Sequence, residues 1–168
     1  MKVKIKTHVH ENGTTYFITD VGRSSLNRGF ANDTVPKGNL ETATSFSNRH
    51  DYSLVLNAST FNMDLKELRG VIIHNSVVVQ DEKNTIDRPY LVFYKDGSIG
   101  HVPAEVSSED MINMGVTESF IGFFPIVLNK KDCFNQFEDL YPFSKEALNP
   151  QQIIFQKNND IGFLTTNG

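Results

Sequence analysis

The residues with chemical potential in this chain are few. The most suggestive stretch is Ser53–Asn62, reading S-L-V-L-N-A-S-T-F-N. Leu54, Val55 and Leu56 form a short apolar run compatible with a strand buried on both faces. The run ends in Asn57, Ala58, Ser59 and Thr60, followed by Phe61 and Asn62. A central strand that ends this way commonly presents polar groups to a ligand. A strand running into an ordinary turn is the simpler reading of those residues taken alone. His8 and His10 lie two apart, hence on one face of a strand, the spacing two imidazoles need to share a metal. With no third ligand nearby they read as part of a solvated Lys face, and neither metal nor cofactor is expected. The single Cys133 excludes an intrachain disulfide and a multi-cysteine zinc site, and it reads as a reduced, semi-buried residue. No His stands with it in a nucleophile motif. Asp64, Asp96 and Glu118 read as turn or surface residues, so no carboxylate pair stands out.

The elements that must position these residues are mostly hairpins. Residues 2–10 alternate, with Val3, Ile5 and Thr7 on one face and Lys2, Lys4, Lys6 and His8 on the other. Glu11-Asn12-Gly13-Thr14 is a turn signal, and Tyr16–Val21 resumes as a strand. Residues 22–40 lack periodicity and read as a long loop. Asn39–Phe46 has the pattern of a short helix capped by Asn39, with Thr42, Ala43 and Phe46 along one face. Asp64–Leu68 reads as a brief helical turn. Gly70–His74 and Val77–Gln80 form a compact hairpin about Asn75-Ser76. Tyr90–Tyr94 and Ser98–Val102 flank Lys95-Asp96-Gly97, the clearest hairpin signal in the chain. Ser107 caps a helix with Asp110 placed for a variant capping box. In Phe120–Leu128, Gly122 and Pro125 divide two short strands. Residues 130–148 read as a broken helix or an aromatic-packed loop. Asn149–Gln156 and Ile161–Thr166 form a last hairpin. The expected fold is α+β, with mixed, largely antiparallel sheets built from hairpins and a few short helices.

A length of 168 residues with 39% hydrophobic and 21% charged residues is that of one globular domain with a sizeable core. Trp is absent while Phe numbers 13, so the core is expected to lean on Phe, Ile and Val. A net charge of −4 argues against nucleic acid as a partner. No run reaches transmembrane length, so no membrane partner is expected. The N-terminus, alternating Lys with Val and Ile, is a strand pattern and not a signal peptide.

Taken in order, these signatures resemble the phosphodiester glycosidase family, to which N-acetylglucosamine-1-phosphodiester alpha-N-acetylglucosaminidase belongs and which includes phage tail and baseplate proteins. Glu41-Thr42-Ala43-Thr44-Ser45-Phe46 leading into Leu54–Phe61 is similar to the family's E-T-x-S-x-(F/Y)-A stretch leading into I-N-A-G-F-F. Gly70–Ser76 is similar to its G-x-x-x-x-(D/N)-G hairpin, and Tyr90–Ile99 to its strand with a K-D-G turn. Ser119–Lys130 resembles an S-G-x-P-x-L-V element. Asn149–Ile154 and Thr166–Gly168 resemble H-P-R-T-A-I-G and a (D/N)-G turn. On this resemblance residues 1–39 are a variable hairpin and loop, and 40–168 the N-terminal portion of the family domain, one structural domain overall. Gln151 stands where the family usually has Arg, and the N-L-D-G-G-G-S-like segment is not found before Gly168.

The resemblance implies a cell-surface glycan-directed module that hydrolyses or binds sugar–phosphate linkages, such as those of a surface polysaccharide or teichoic acid. It implies that Asn57 hydrogen-bonds sugar or phosphate, that Ser59, Thr60 and Asn62 line the pocket, and that Asn167 sits at its rim. His74 is the weak acid/base candidate, although at a hairpin it reads first as an exposed His. The expected setting is a phage tail or baseplate, or a bacterial source, without a signal peptide. Expected partners are other virion proteins or a C-terminal companion chain, in an oligomer. The alternative is a non-catalytic assembly protein of a phage particle that keeps only the fold.

Overall fold

The structure, a computed structural model, describes residues 3–22, 26–30, 40–62, 64–65, 67–136, 151–158 and 160–167. The chain gathers into two compact units, one of residues 1–27 with 141–168 and the other of residues 28–140. The fold is α+β, dominated by antiparallel hairpins with few short helices, as the sequence leads one to expect.

The first unit is a four-stranded antiparallel sheet of β1 (Lys4–Val9), β2 (Thr15–Gly22), β12 (Gln152–Lys157) and β13 (Asp160–Thr166), in the order β1-β2-β13-β12. Both expected hairpins form, and β2 pairs with β13 to join them. Val21, Ile161 and Phe163 bury one face of its middle strands. β1 differs from the alternating expectation, because all six of its residues are exposed. It is an edge strand, and Ile5, on the nominally apolar face, is 57% exposed.

The second unit begins with α1 (Ala43–His50), then β3 (Phe61–Asn62) and β4 (Glu67–Leu68), β5 (Val71–His74) and β6 (Val77–Asp81). It continues with β7 (Tyr90–Tyr94), β8 (Ile99–Val102), α2 (Ser108–Asn113), β9 (Val116–Ile121), β10 (Val127–Leu128) and β11 (Lys131–Asp132). β7 lies between β8 and β9 in a three-stranded sheet, while β5 and β6 form a separate hairpin. The core packs Val71, Ile73, Tyr90, Val92, Val102, Met111, Val116 and Ile121. Val and Ile carry it as expected, but Phe does not. Gly70, at φ +68°, turns the chain into β5 where a Cβ would lie 2.5 Å from Tyr90 Oη.

Several local expectations need correction. The apolar run Leu54–Leu56 forms no strand and is only half-buried. Three apolar residues between Ser53 and Asn57 are too few to sustain a ladder, and pairing starts only where Thr60 N–H donates to Ile121 O at 3.1 Å. The first helix is capped by Thr42, whose hydroxyl accepts from Ser45 N–H at 3.1 Å, and it runs on to His50. The proposed cap Asn39 lies outside the described residues. Asp64 and Leu65 form a turn between β3 and β4, not a helical turn, because Asn62 Oδ1 accepts both their N–H groups. Of residues 130–148, a 3-10 turn at Phe134–Gln136 is described, and 137–150 lie outside the described residues. Ser107 does cap α2, accepting from Asp110 N–H at 3.1 Å and donating to its carboxylate at 2.7 Å.

Candidate functional site

The residues singled out by sequence do not form one constellation. Asn57 is exposed in irregular chain. Ser59 is half-buried with a φ of 20°. Thr60 packs its methyl group against Gly122, and its Oγ1 is buried without a hydrogen-bond partner among the described residues. Asn62 spends its carbonyl oxygen on the turn that follows it. Asn167 belongs to the other unit, where it exchanges hydrogen bonds with Thr15 through Oδ1 and its own N–H, at 3.0 and 3.1 Å. It closes the end of the β2–β13 pair. Asp96 is a turn residue, accepting from Ser98 N–H and Oγ–H.

A different cluster forms where β5 meets β9. The turn Asn75-Ser76 has both residues at positive φ, 51° and 63°. This is the hairpin geometry whose twist suits two short strands. His74 stands immediately before it. On β6 the register shifts between Ile72 and Ile73, and a second shift separates Phe93 from Tyr94 along β9. Such irregularities re-aim neighbouring side chains, and each lies one or two residues from a member of the cluster.

His74 Nδ1 lies 3.0 and 3.1 Å from the two Glu118 carboxylate oxygens, and its Nε2 lies 3.0 Å from Asn75 Nδ2. Both contacts are satisfied when Nδ1 carries the proton, leaving Nε2 as the acceptor. Glu118 also accepts from Asn75 N–H at 2.9 Å. On its other side Arg28 Nη1 approaches at 3.5 Å. That same Nη1 donates to Ile73 O on β5 and to Ser119 O on β9, each at 2.8 Å. The guanidinium sits 4.4 Å from the Phe120 ring centre and 5.0 Å from that of Phe30. Burial pulls the Arg28 pKa below its ordinary value, while the Glu118 charge and hydrogen bond pull it back up. The Arg28 side chain is 6% exposed, Glu118 18% and His74 25%.

Ser119 completes the seam from within. Its fully buried hydroxyl accepts from Ile73 N–H and donates to Val71 O, both at 2.9 Å. Ser76 N–H donates to Thr117 O at 3.0 Å.

His74 is therefore a half-buried, ion-paired residue, not the free hairpin His first expected. Glu118 is a strand residue with three partners, not a surface carboxylate. Sequence reasoning missed Arg28 altogether. The available signal was a Thr-Glu-Ser run inside the otherwise apolar Val116–Ile121, since a charge in such a strand requires a partner. Chemically, a carboxylate that orients one imidazole nitrogen leaves the other able to exchange a proton or a hydrogen bond with a ligand oxygen. Arg28 is already committed to two carbonyls and Glu118, so it is a positioning group. Elsewhere, His8 stacks on Tyr16 and His10 bonds Asn12. Among the described residues, no three His, Cys, Asp or Glu side chains converge as a metal site would require. Cys133 is a free, buried thiol that donates to Pro125 O at 3.3 Å.

Neither family models nor curated protein sequences match this chain. Among solved structures, it is similar to the catalytic domain of zebrafish N-acetylglucosamine-1-phosphodiester alpha-N-acetylglucosaminidase, auto-inhibited by its pro-peptide. The TM-score is 0.60 at 12% identity, over 99% of this chain and 60% of that one. The likeness is one of fold, and this chain spans about three-fifths of that domain.

Proposed function

We propose that the chain is a glycan-directed module on a phosphodiester-glycosidase-like fold, binding sugar–phosphate linkages of a cell-surface polymer within a phage tail or baseplate. The observation that supports it is the likeness to a glycosidase catalytic domain over 99% of the chain. In this reading the imidazole edge of His74 and the Asn75 amide meet the ligand. Both are hydrogen-bonding groups suited to sugar hydroxyls and to the bridging oxygen of the linkage. Glu118 holds the imidazole, and Arg28 holds Glu118. No nucleophile stands beside His74 among the described side chains, so the isolated chain binds without hydrolysing.

The test is titration calorimetry of the chain with a sugar 1-phosphodiester and with teichoic acid. Binding that weakens about tenfold in His74→Ala, with the fold intact by circular dichroism, supports the reading. No binding to either ligand refutes it, and release of free sugar refutes the non-hydrolytic part. The second reading is an assembly protein of a phage particle that retains the fold alone. It is favoured by the internal hydrogen bonds of Asn62 and Asn167, which leave those two amides engaged with backbone. Incorporation of His74→Ala into particles at the normal level, with no glycan bound by either form, is its expected signature.

A further inference from the structure

The strand β1 is an open edge with an unusual division of side chains. His10 N–H donates to Thr14 O at 2.8 Å at the base of the hairpin turn. Alternation along the antiparallel register then makes His8/Tyr16, Lys6/Ile18 and Lys4/Asp20 the hydrogen-bonded pairs. Thr15 agrees with this phase, since its N–H and C=O are turned to Asn167 on the far side of β2. The N–H and C=O groups of Ile5, Thr7 and Val9 consequently point away from the sheet, and among the described residues nothing pairs with them.

The two faces of this edge differ in chemistry. One carries Lys4, Lys6 and His8. The other carries Ile5, Thr7 and Val9 beside Phe17 on β2, with Ile5 57%, Val9 69% and Phe17 37% exposed. Lysines on an edge discourage indiscriminate pairing. Here they exclude one partner in particular. Two copies joined β1 to β1 set Lys4, Lys6 and His8 against the same three residues in every register that keeps apolar side chains together. An acidic strand meets no such repulsion, because like charges directly opposite destabilise a pair and opposite charges stabilise it.

We propose that β1 docks an extended segment of a partner protein in which acidic residues alternate with apolar ones, added as a fifth strand. The outward amides supply the hydrogen bonds, the Lys face selects acidic side chains, and Ile5, Val9 and Phe17 receive the apolar ones.

The test uses the full chain and two labelled synthetic peptides of about seven residues, one alternating Glu with Val and the other Lys with Val. Fluorescence anisotropy at low salt is expected to show the Glu peptide binding at least about tenfold more tightly, with the preference shrinking as salt screens the charges. Amide exchange at Ile5, Thr7 and Val9 slows in that complex. Thr7→Pro removes only an outward donor, a substitution that edge strands tolerate, and it is expected to abolish binding. Lys6→Glu is expected to reverse the peptide preference, and it keeps the test decisive if the proline variant fails to fold. Equal affinity for the two peptides, binding of neither, or self-association of the chain through β1 overturns the proposal.

Discussion

Replacing Arg28 by Met tests whether the guanidinium holds the β5–β9 junction or merely decorates it. Met keeps an apolar stem between Phe30 and Phe120 but removes the charged head. The change deletes two charge-assisted hydrogen bonds, to Ile73 O and Ser119 O, both 2.8 Å long. Such bonds contribute about 1.5–3 kcal/mol each, and stacking on two rings adds about 0.5–2 kcal/mol. Against this stands the several kcal/mol of guanidinium desolvation that the variant no longer bears. Breaking one side of a buried pair costs about 3–5 kcal/mol. Glu118 is 18% exposed and keeps His74 and the Asn75 amide, so the lower end applies, about 3 kcal/mol. With a urea m-value of about 2 kcal/mol/M, the unfolding midpoint falls by about 1.5 M at unchanged m. Near-ultraviolet circular dichroism, to which the core residue Tyr90 contributes, follows the transition. Arg28→Lys is expected to recover less than half of the loss, because an ammonium cannot reach two carbonyls while stacking between rings. A double-mutant cycle with Glu118→Gln should give a coupling of about 1–2 kcal/mol. A loss below about 1 kcal/mol, the level of an exposed ion pair, or simple additivity would refute the reasoning.

Three further outcomes are expected. Gly70→Ala combines a φ of +68° with a Cβ 2.5 Å from Tyr90 Oη and 2.8 Å from Ile121 Cδ1, and should lose about 2–4 kcal/mol in urea unfolding; a neutral result would mean that the turn rearranges freely. Burial raises the Tyr90 pKa above the usual phenol value, opposed by the Val71 N–H bond and by Asn84. The folded state then holds this proton more tightly than the unfolded one. Stability is fully present below about pH 10 and falls at up to about 1.4 kcal/mol per pH unit above it. Tyr90→Phe should flatten that alkaline limb while costing about 1–3 kcal/mol at neutral pH, through the orphaned Val71 amide; an unchanged limb by pH-dependent unfolding would contradict this. Thr60→Val removes a buried hydroxyl that has no partner among the described residues and should raise stability by about 1 kcal/mol in thermal unfolding. A drop in stability would show that the hydroxyl is satisfied.

The hairpins were legible because their turns are written locally. Asn75-Ser76, Lys95-Asp96-Gly97 and the Ser107/Asp110 cap act over a few neighbouring residues, and each forms as the sequence predicts. Leu54–Leu56 misled because an apolar triplet signals burial without specifying a pairing partner. Helix α1 was displaced because both Asn39 and Thr42 are acceptable caps, and the choice fell to Thr42, with Glu41 available to pair with Arg49 at 2.8 Å. The Arg28–Glu118–His74 cluster was illegible for a different reason. Its members come from a segment before the first helix, a strand end and a late strand, and no local spacing encodes their meeting. Asn62 and Asn167 illustrate the opposite error, since a side-chain amide suited to a sugar is equally suited to a backbone turn.

The Ser119 hydroxyl and the Arg28 guanidinium do between β5 and β9 what main-chain groups do between paired strands. Main-chain groups are carried by every residue type except proline and survive most substitutions. A junction made of two side chains is instead open to mutation one codon at a time. Drift at positions 28 and 119 is accordingly constrained as a pair, and a descendant that loses one can keep this architecture only by bringing the strands into direct register. The seam is thus a place where the two sheets could become one in the course of divergence.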